Sequence, residues 1–500
     1  MRHASSFLRR QQFQQRLSPP VPRSLHEECG VFGAINLDRP AGPVVALGLH
    51  ALQHRGQEGA GISTYSEGQF HLVRELGLVA DHFHSEDNLS RLPGTAGIGH
   101  TRYSTTGESH RKNLQPLYAD LDRGGIAIAH NGNLTNARVL RQDLISKGSI
   151  FHTTSDSELF VQLTALSRGL TLSDKVIDAA RGVEGAYALV VLTRDALIGV
   201  RDPLGIRPLV LGRIGEGYVL ASESCAFDLM GAEFIRDVEP GEVVICGRDG
   251  SLTSKRLAEP ALARPCIFEL IYFARPNSFV DGESVYDIRK RLGRTLAEES
   301  PVEADLVSPI PDSGVAAAIG YAQASGLPYE MALIRSHFVG RTFIEPTQEI
   351  RETKVERKHS ANAGVVCGRR VILIDDSLVR GTTSRKIISM LRDAGAAEVH
   401  LRVACPPIRH PDFYGIDTPS RDELLAHDRT TEEMREDIGA DSLAFLSLDG
   451  LYNALGKGPR DCDQPAFTDH CFTGDYPTGL QDQDRQANVV EQLSLLREAR

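Results

Sequence analysis

The stretch VILIDDSLVRGTTS at residues 371–384 runs from an apolar segment straight into two acids and then into a Gly-Thr-Thr turn. An apolar run of strand length that ends in polar residues reads as a buried strand feeding a helix. Ligands of open α/β sheets bind beyond the carboxyl ends of the strands, so Asp375, Asp376, Ser377, Arg380, Gly381, Thr382 and Thr383 emerge where a site is expected. The paired acids can accept hydrogen bonds from vicinal ribose hydroxyls and help organise hydrated Mg²⁺. Backbone N–H groups and hydroxyls from Arg380 to Ser384 suit a 5′-phosphate at a helix N-terminus. The plain alternative is that the acids only cap the next helix and Gly381 only serves a turn; the complete order of strand, acid pair and GTT argues against it.

Upstream, SPIPDSGVAA at 308–317 also joins a strand end to a helix start. Asp312 and Ser313 stand near the expected N-cap and Gly314 permits close backbone approach, an arrangement suited to pyrophosphate. Between the two segments, VGRTFIEP at 339–346 carries Arg341, which can clamp phosphates when a loop closes over them. Strands and helices alternate from Cys266 to about Gly456, predicting a parallel α/β sheet with crossover helices.

The first half reads differently. From Cys29 to about Val244, short strands such as CGVFGAINL, GIAIAHNGN and AYALVVLT are separated by Gly and Asn turns. Helical patterns interrupt them near 44–54, 134–147, 155–168 and 171–182, and SKRLAEPALARP around 255–265 reads as a linker. Beyond Lys457 the chain is polar until a final helical segment, ANVVEQLSLLREAR.

Composition narrows the function class. A net charge of −11 provides no basic footprint for nucleic acid, and no apolar run is long enough to span a membrane. The eight Cys are too scattered for a secreted disulfide framework, which points to a reducing cytoplasm. Residues 1–28 are rich in Arg, Gln and Ser and reach their first acids at Glu27 and Glu28.

A second chemistry is concentrated after that leader. In ECGVFGA at 28–34, removal of residues 1–28 would leave Cys29 with a thiol nucleophile and its own α-amino group as base; burial in a strand is the simpler role for such a Cys. RYSTTG at 102–107 supplies Arg102 for a substrate carboxylate, and SDSE at 155–158 supplies Asp156 for an α-ammonium group. In HNGN at 130–133, the Asn131 side-chain amide and the Gly132 N–H can surround an oxyanion, although Asn-Gly also suits a hairpin turn.

These segments, together with ALQHRGQEGAGI at 51–62, RDPLGIRPL at 201–209, LIYFARPNS at 270–278, HPDFYGID at 410–417 and DSLAFLSLDGL at 441–451, resemble the glutamine phosphoribosylpyrophosphate amidotransferase family. The resemblance implies an α+β N-terminal-nucleophile glutaminase domain of αββα layers over 29–262, then a type I phosphoribosyltransferase parallel α/β domain over 263–456. Residues 1–28 would be a propeptide and 457–500 a C-terminal tail; a transit peptide or an upstream mis-assigned start codon are the alternatives for the leader.

The implied reaction is the first committed step of de novo purine synthesis, giving 5-phosphoribosylamine, pyrophosphate and glutamate. Cys29, Asn131 and Gly132 would be catalytic, Arg102 and Asp156 would bind glutamine, and Asp312, Ser313, Arg341, Asp375, Asp376, Ser377, Arg380, Gly381, Thr382 and Thr383 would bind phosphoribosyl pyrophosphate. One Mg²⁺ would sit at Gly314, Asp375 and Asp376. Ammonia would travel through an internal tunnel, purine nucleotides would be feedback inhibitors, and the assembly would be a cytoplasmic homotetramer.

The pattern departs from relatives that hold an iron–sulfur cluster on four Cys. Cys266 and Cys471 stand at expected places, but the others hold Asp412 and Thr468, and Cys462 is wrongly spaced, so no cluster is expected. Ser336 and His337 replace residues that commonly include an Arg beside the Arg341 loop, which predicts weaker or pH-dependent phosphate binding through His337. Two other readings compete: a glutamine-fructose-6-phosphate aminotransferase, opposed by VILIDDSLVRGTT, and a purine-sensing DNA-binding regulator, opposed by the charge and the glutaminase residues.

Overall fold

The computed structural model describes residues 29–103, 111–257, 262–336, 359–418 and 420–484. Its first half is built on two antiparallel sheets. In the seven-stranded sheet the order is Glu233–Asp237, Val210–Ile214, Gly217–Ala221, Gly30–Ile35, Ala96–Arg102, Gly59–Ser66 and Gln69–Leu76. In the six-stranded sheet it is Leu252–Arg256, Glu242–Gly247, Ala196–Arg201, Gly185–Thr193, Gly124–Leu134 and Leu117–Leu121.

The central strands Gly30–Ile35, Ala96–Arg102 and Gly185–Thr193 are buried along their whole length. Being covered on both faces, they carry runs of apolar and small residues with little polar alternation. Val31, Ile98, Ala129, Val190, Leu211 and Val244 fill the space between the sheets. Outside the first sheet, Ile62, Val73 and Phe227 pack with Val45 and Leu49 of helix Ala41–Ala51. Outside the second, Ile128 and Leu189 pack with Leu159, Phe160 and Val176 from helices Glu158–Leu166 and Leu172–Arg181. Four αββα layers result, as the resemblance implies.

The second half carries a parallel sheet in the order Leu306–Pro309, Arg370–Asp375, Glu398–Val403 and Ser442–Phe445. Helices Val315–Ser325, Thr382–Asp393 and Thr431–Ile438 connect successive strands. Leu373, Val399 and Leu401 share a core with Ile387 and Leu391 on one helix and Leu292 and Leu296 on Val285–Glu299. This α/β arrangement agrees with the alternation in the sequence.

Several elements differ from expectation. The first helix runs Ala41–Ala51 rather than 44–54, because Pro43 is tolerated in a first turn and residues Gln53–Arg55 tighten into a 3₁₀ turn. Strand Leu252–Arg256 pairs with Glu242–Gly247 and takes in the start of the expected linker. The polar segment after Lys457 buries Phe467, Cys471 and Phe472 in the second core. The leader through Glu28 and the segment ANVVEQLSLLREAR lie outside the described residues.

The halves meet across buried charges. Arg55 Nη1 donates to Glu223 Oε1 at 2.6 Å, and Arg55 Nη2 donates to Glu269 Oε1 at 2.6 Å. His54 Nε2 lies 2.7 Å from Glu223 Oε1 and Arg207 Nη1 lies 3.5 Å from Glu269 Oε1. Burial alone would raise the Glu223 pKa, but His54 and Arg55 hold it well below its ordinary 4.5. A carboxylate depressed on folding contributes stability that is present above its unfolded value and lost as pH falls through the folded one. The thermal midpoint is therefore expected to drop below about pH 4.5, and the stability difference between wild type and Glu223→Gln to shrink as acid is added, checked by calorimetric scans from about pH 6 to about pH 3. A difference that grows with acid contradicts the assignment.

Candidate functional site

Cys29 opens the central strand Gly30–Ile35, so its position is set by the middle of a rigid sheet. Its Sγ lies 3.4 Å from the Tyr103 carbonyl, to which it can donate, and 3.5 Å from the Tyr103 N–H, from which it can accept. Arg55 Nε donates to the Cys29 carbonyl at 3.3 Å, tying the residue to the buried charges. Burial pushes the thiol pKa up, with Arg102 partly opposing it. A thiol so placed stays protonated until a base removes its proton.

Asn131 and Gly132 lie inside strand Gly124–Leu134, paired with Ala188 and Tyr187, which rules out the hairpin-turn alternative. Gly132 has φ +135°, and a Cβ there would stand 2.1 Å from the Ala186 carbonyl oxygen. Only glycine fits that conformation and that approach. The Asn131 side chain is fully buried, with neither its Nδ2 nor its Oδ1 partnered among the described residues. Buried unpaired amides cost free energy, so a preorganised donor of this kind is better explained by a charge it meets only during reaction.

Arg102, 3% exposed, donates from Nη1 to the Asn113 carbonyl at 2.9 Å. Asp156 accepts from Leu134 N at 3.0 Å and lines a cavity of about 350 Å³ with Asn133, Thr154, Phe413 and Leu480. Two histidines without an expected role support this wall. His100 Nε2 lies 3.1 Å from the His130 carbonyl, and His130 Nδ1 lies 2.9 Å from Ser157 Oγ. Burial, followed by Arg102 and His130, lowers the His100 pKa to about 3; burial also lowers that of His130, against the pull of Asp156. Both shifts favour the uncharged imidazole.

The HPDFYGID segment reaches into the same site from the second half. Asn133 Nδ2 donates to the Phe413 carbonyl at 2.9 Å, and Arg207 Nη2 donates to the Tyr414 carbonyl at 2.8 Å. Gly415 sits so close that a Cβ on it would lie 3.1 Å from the Gly132 carbonyl carbon. The backbone beside Asn131 is thus braced from behind by the other half of the chain.

At the phosphate end, Asp375 terminates its strand and Asp376 follows, both buried. Burial and then Asp376 push the Asp375 pKa well above the ordinary carboxylate range. Ser377 Oγ donates to Asp376 Oδ2 at 2.7 Å. Helix Thr382–Asp393 has Gly381, at φ +73°, as its N-cap, so the acids do not cap it. Thr382 and Thr383 are exposed on its first turn. Arg380 Nη2 lies 3.1 Å from Glu423 Oε2, while Arg380 Nε and Nη1 are buried and unpartnered among the described residues.

The second loop is capped differently from expectation. Its N-cap is Gly314 rather than Asp312 or Ser313, and Asp312 pairs with Arg335. At Gly314 the N–H donates to the Ile310 carbonyl and the carbonyl accepts from Ala318 N, and a Cβ would stand 2.4 Å from the Ile374 carbonyl oxygen, so the residue packs closely against the Asp375 strand. Ser336 follows strand Leu333–Arg335, whereas Arg341 and His337 lie outside the described residues.

An αββα domain with a buried Cys at the head of its central strand, joined to a parallel sheet ending in paired acids and a phosphate-type turn, defines a glutamine amidotransferase coupled to a phosphoribosyltransferase. The family described as glutamine amidotransferase domain matches residues 100–228. The amidophosphoribosyltransferase of Rhizobium etli is 55% identical over 478 residues, covering 95% of this chain and 96% of its own length. That of Bacillus subtilis is 48% identical over 461 residues, covering 92% and 96%. A solved structure of glutamine phosphoribosylpyrophosphate amidotransferase from B. subtilis, complexed with ADP and GMP, superposes with TM-score 0.85 at 47% identity over 90% of this chain and 98% of that one. The chain belongs to the amidophosphoribosyltransferase family.

Replacing Asn131 by Ala removes the unpaired donor without filling space. Glutamine hydrolysis is expected to fall by about 10²–10³-fold, mostly in kcat, as for loss of one oxyanion donor. Steady-state kinetics check this; a change in KM alone would assign Asn131 to substrate binding instead.

Proposed function

We propose that Cys29, Asn131, Gly132, Arg102 and Asp156 carry the glutaminase step of this amidophosphoribosyltransferase, and that the Asp375–Thr383 loop with Asp312 and Ser313 binds the phosphoribosyl pyrophosphate. The enzyme hydrolyses glutamine and transfers the ammonia to C1 of phosphoribosyl pyrophosphate, giving 5-phosphoribosylamine, pyrophosphate and glutamate in the first committed step of de novo purine synthesis. The observation that carries the residue assignment is the fully buried, unpartnered Asn131 amide on a strand of the sheet that packs against the one whose central strand Cys29 heads.

In this reading residues 1–28 are removed, and the freed α-amino group takes the Cys29 thiol proton as sulfur attacks the glutamine amide carbon. Asn131 Nδ2 and the Gly132 N–H receive the oxyanion, and the proton returns to the departing nitrogen as ammonia leaves. Water then releases glutamate from the thioester. Arg102 holds the substrate carboxylate and Asp156 its ammonium group.

At the second site, ammonia attacks C1 as pyrophosphate departs, so the chain's part is positioning and charge neutralisation. Asp376 faces the ribose hydroxyls, and Arg380 with the exposed Thr382 and Thr383 holds the 5′-phosphate. The adjacent hard-oxygen carboxylates of Asp375 and Asp376, whose mutual repulsion a cation relieves, suit one Mg²⁺. When bound, Mg²⁺ neutralises charge on the leaving pyrophosphate. Arg341 is assigned to the closing loop.

The B. subtilis relative was solved with ADP and GMP. We extend purine-nucleotide binding, with feedback as its use, to this chain on that likeness; homotetrameric assembly is what the family resemblance implies. Among the described residues no helix is long and apolar enough to cross a membrane, and the eight Cys are free. No second function is favoured by a specific observation.

Cys29→Ala is expected to abolish glutamine-dependent 5-phosphoribosylamine formation while leaving the ammonia-dependent reaction within about twofold of wild type, since the phosphate site keeps every residue. Pyrophosphate release with either nitrogen source measures both. Equal loss of the two activities would contradict a separate glutaminase nucleophile.

A further inference from the structure

The four positions where the family resemblance would put cluster thiolates do not fit an iron–sulfur cluster in this chain. They are Cys266, Asp412, Thr468 and Cys471, and only two are thiols. Thr468 is committed elsewhere: its Oγ1 donates to the Arg264 carbonyl at 2.5 Å and its backbone bridges Cys266. Cys462 is exposed and stands outside the cluster of ligand-type side chains formed by Asp412, His470 and Cys471.

The neighbouring residue changes the donor set. One ligand atom from each of Asp412, His470 and Cys471 lies within 4.8 Å of the others, and all three residues are buried. His470 Nε2 is 2.8 Å from Asp412 Oδ1 and 3.3 Å from Cys471 Sγ. The carboxylate is aimed by its other oxygen, which accepts from the N–H groups of Tyr414 and Ile416 at 2.7 Å each. Oδ1 is at hydrogen-bond distance from His470 but out of line with it, so it is a buried acceptor without an aligned partner. Cys266 is bridged to Thr468, three residues before Cys471, but its Sγ stands outside the set of ligand atoms that lie within 4.8 Å of one another.

We propose that Asp412 Oδ1, His470 Nε2 and Cys471 Sγ form a structural mononuclear site for a divalent d¹⁰ cation, zinc, in place of a cluster, which Cys266 Sγ, on the residue bridged to Thr468, completes by moving in toward them. Tetrahedral zinc with these donors needs ligand separations of about 3.2–3.8 Å, so the histidine–cysteine distance already fits and the histidine–carboxylate pair opens by about half an ångström. Soft thiolates with one imidazole select zinc over Mg²⁺ or Ca²⁺. Two thiolates and a carboxylate leave the occupied site one negative charge, and the buried Arg207, whose charge bears on both Cys266 and Cys471, offsets it. Because Asp412 lies in the segment that braces Asn133 and Gly132, the ion would fasten the wall behind the proposed oxyanion donors.

The test uses the full chain, reduced, stripped with chelator and titrated with cobalt(II) chloride, then zinc sulfate. Expected are one cobalt per chain with thiolate charge-transfer and tetrahedral d–d absorption bands, displacement by zinc, and a higher thermal midpoint with zinc. Asp412→Asn and His470→Gln are each expected to weaken zinc by more than the roughly 10–100-fold that an outer-shell change costs. If Cys471→Ser does not fold, these variants and the wild-type spectra still decide. Absence of the bands and of a midpoint shift in folded wild type overturns the site. So does binding unchanged by both variants, or iron recovered with acid-labile sulfide. None of these results depends on the catalytic assignment.

Discussion

The structure depends on one guanidinium, that of Arg55, held in the interior between two carboxylates that belong to different halves of the chain. Burial opposes its charge, but Glu269 and Glu223 raise its pKa and keep it ionised. With Arg207 beside Glu269, two cations meet two anions. Such a network is tolerable in a low dielectric only when every member is present, because removing one partner strands a buried charge. Loss of any one member is therefore costly.

From this knot the geometry extends both ways. Arg55 Nε holds the Cys29 carbonyl, and Glu223 accepts from the Arg275 N–H at 2.8 Å and from Ser278 Oγ at 2.7 Å. Arg289 then donates to the carbonyls of Leu270 and Ala274, and Asp376 is among the charges acting on it. On the opposite flank, Phe413, Tyr414 and Gly415 support the strand that presents Asn131. Cys29 is thus tied through Arg55 and Glu223 to the Arg275–Ser278 segment of the second half, and Arg289, anchored on Ala274 just before it, feels the charge of Asp376.

Much of this was legible in the sequence, and for a physical reason. Strand ends that carry chemistry must place polar residues right after apolar ones, so VILIDD and HNGN stand out against their neighbours. Buried central strands also announce themselves by composition, as AYALVVLT does. What escaped notice depends on long-range partners. Arg55, Glu223 and Glu269 look like surface charges until the chain is folded, and edge strands such as Gln69–Leu76, half exposed, lack a clear period-two signal. His470 is silent for the same reason: its meaning comes from Asp412, 58 residues away in the chain.

The most direct test of the claim that the two halves act as one catalyst is to follow the nitrogen itself. Glutamine labelled with ¹⁵N at the amide is supplied with phosphoribosyl pyrophosphate and an excess of unlabelled ammonium, and the isotope content of 5-phosphoribosylamine is read by mass spectrometry after trapping. Passage across the buried interface predicts a product that is almost wholly labelled. A label diluted to the proportion present in solution would mean that ammonia escapes before it reaches the sugar, and would contradict the account.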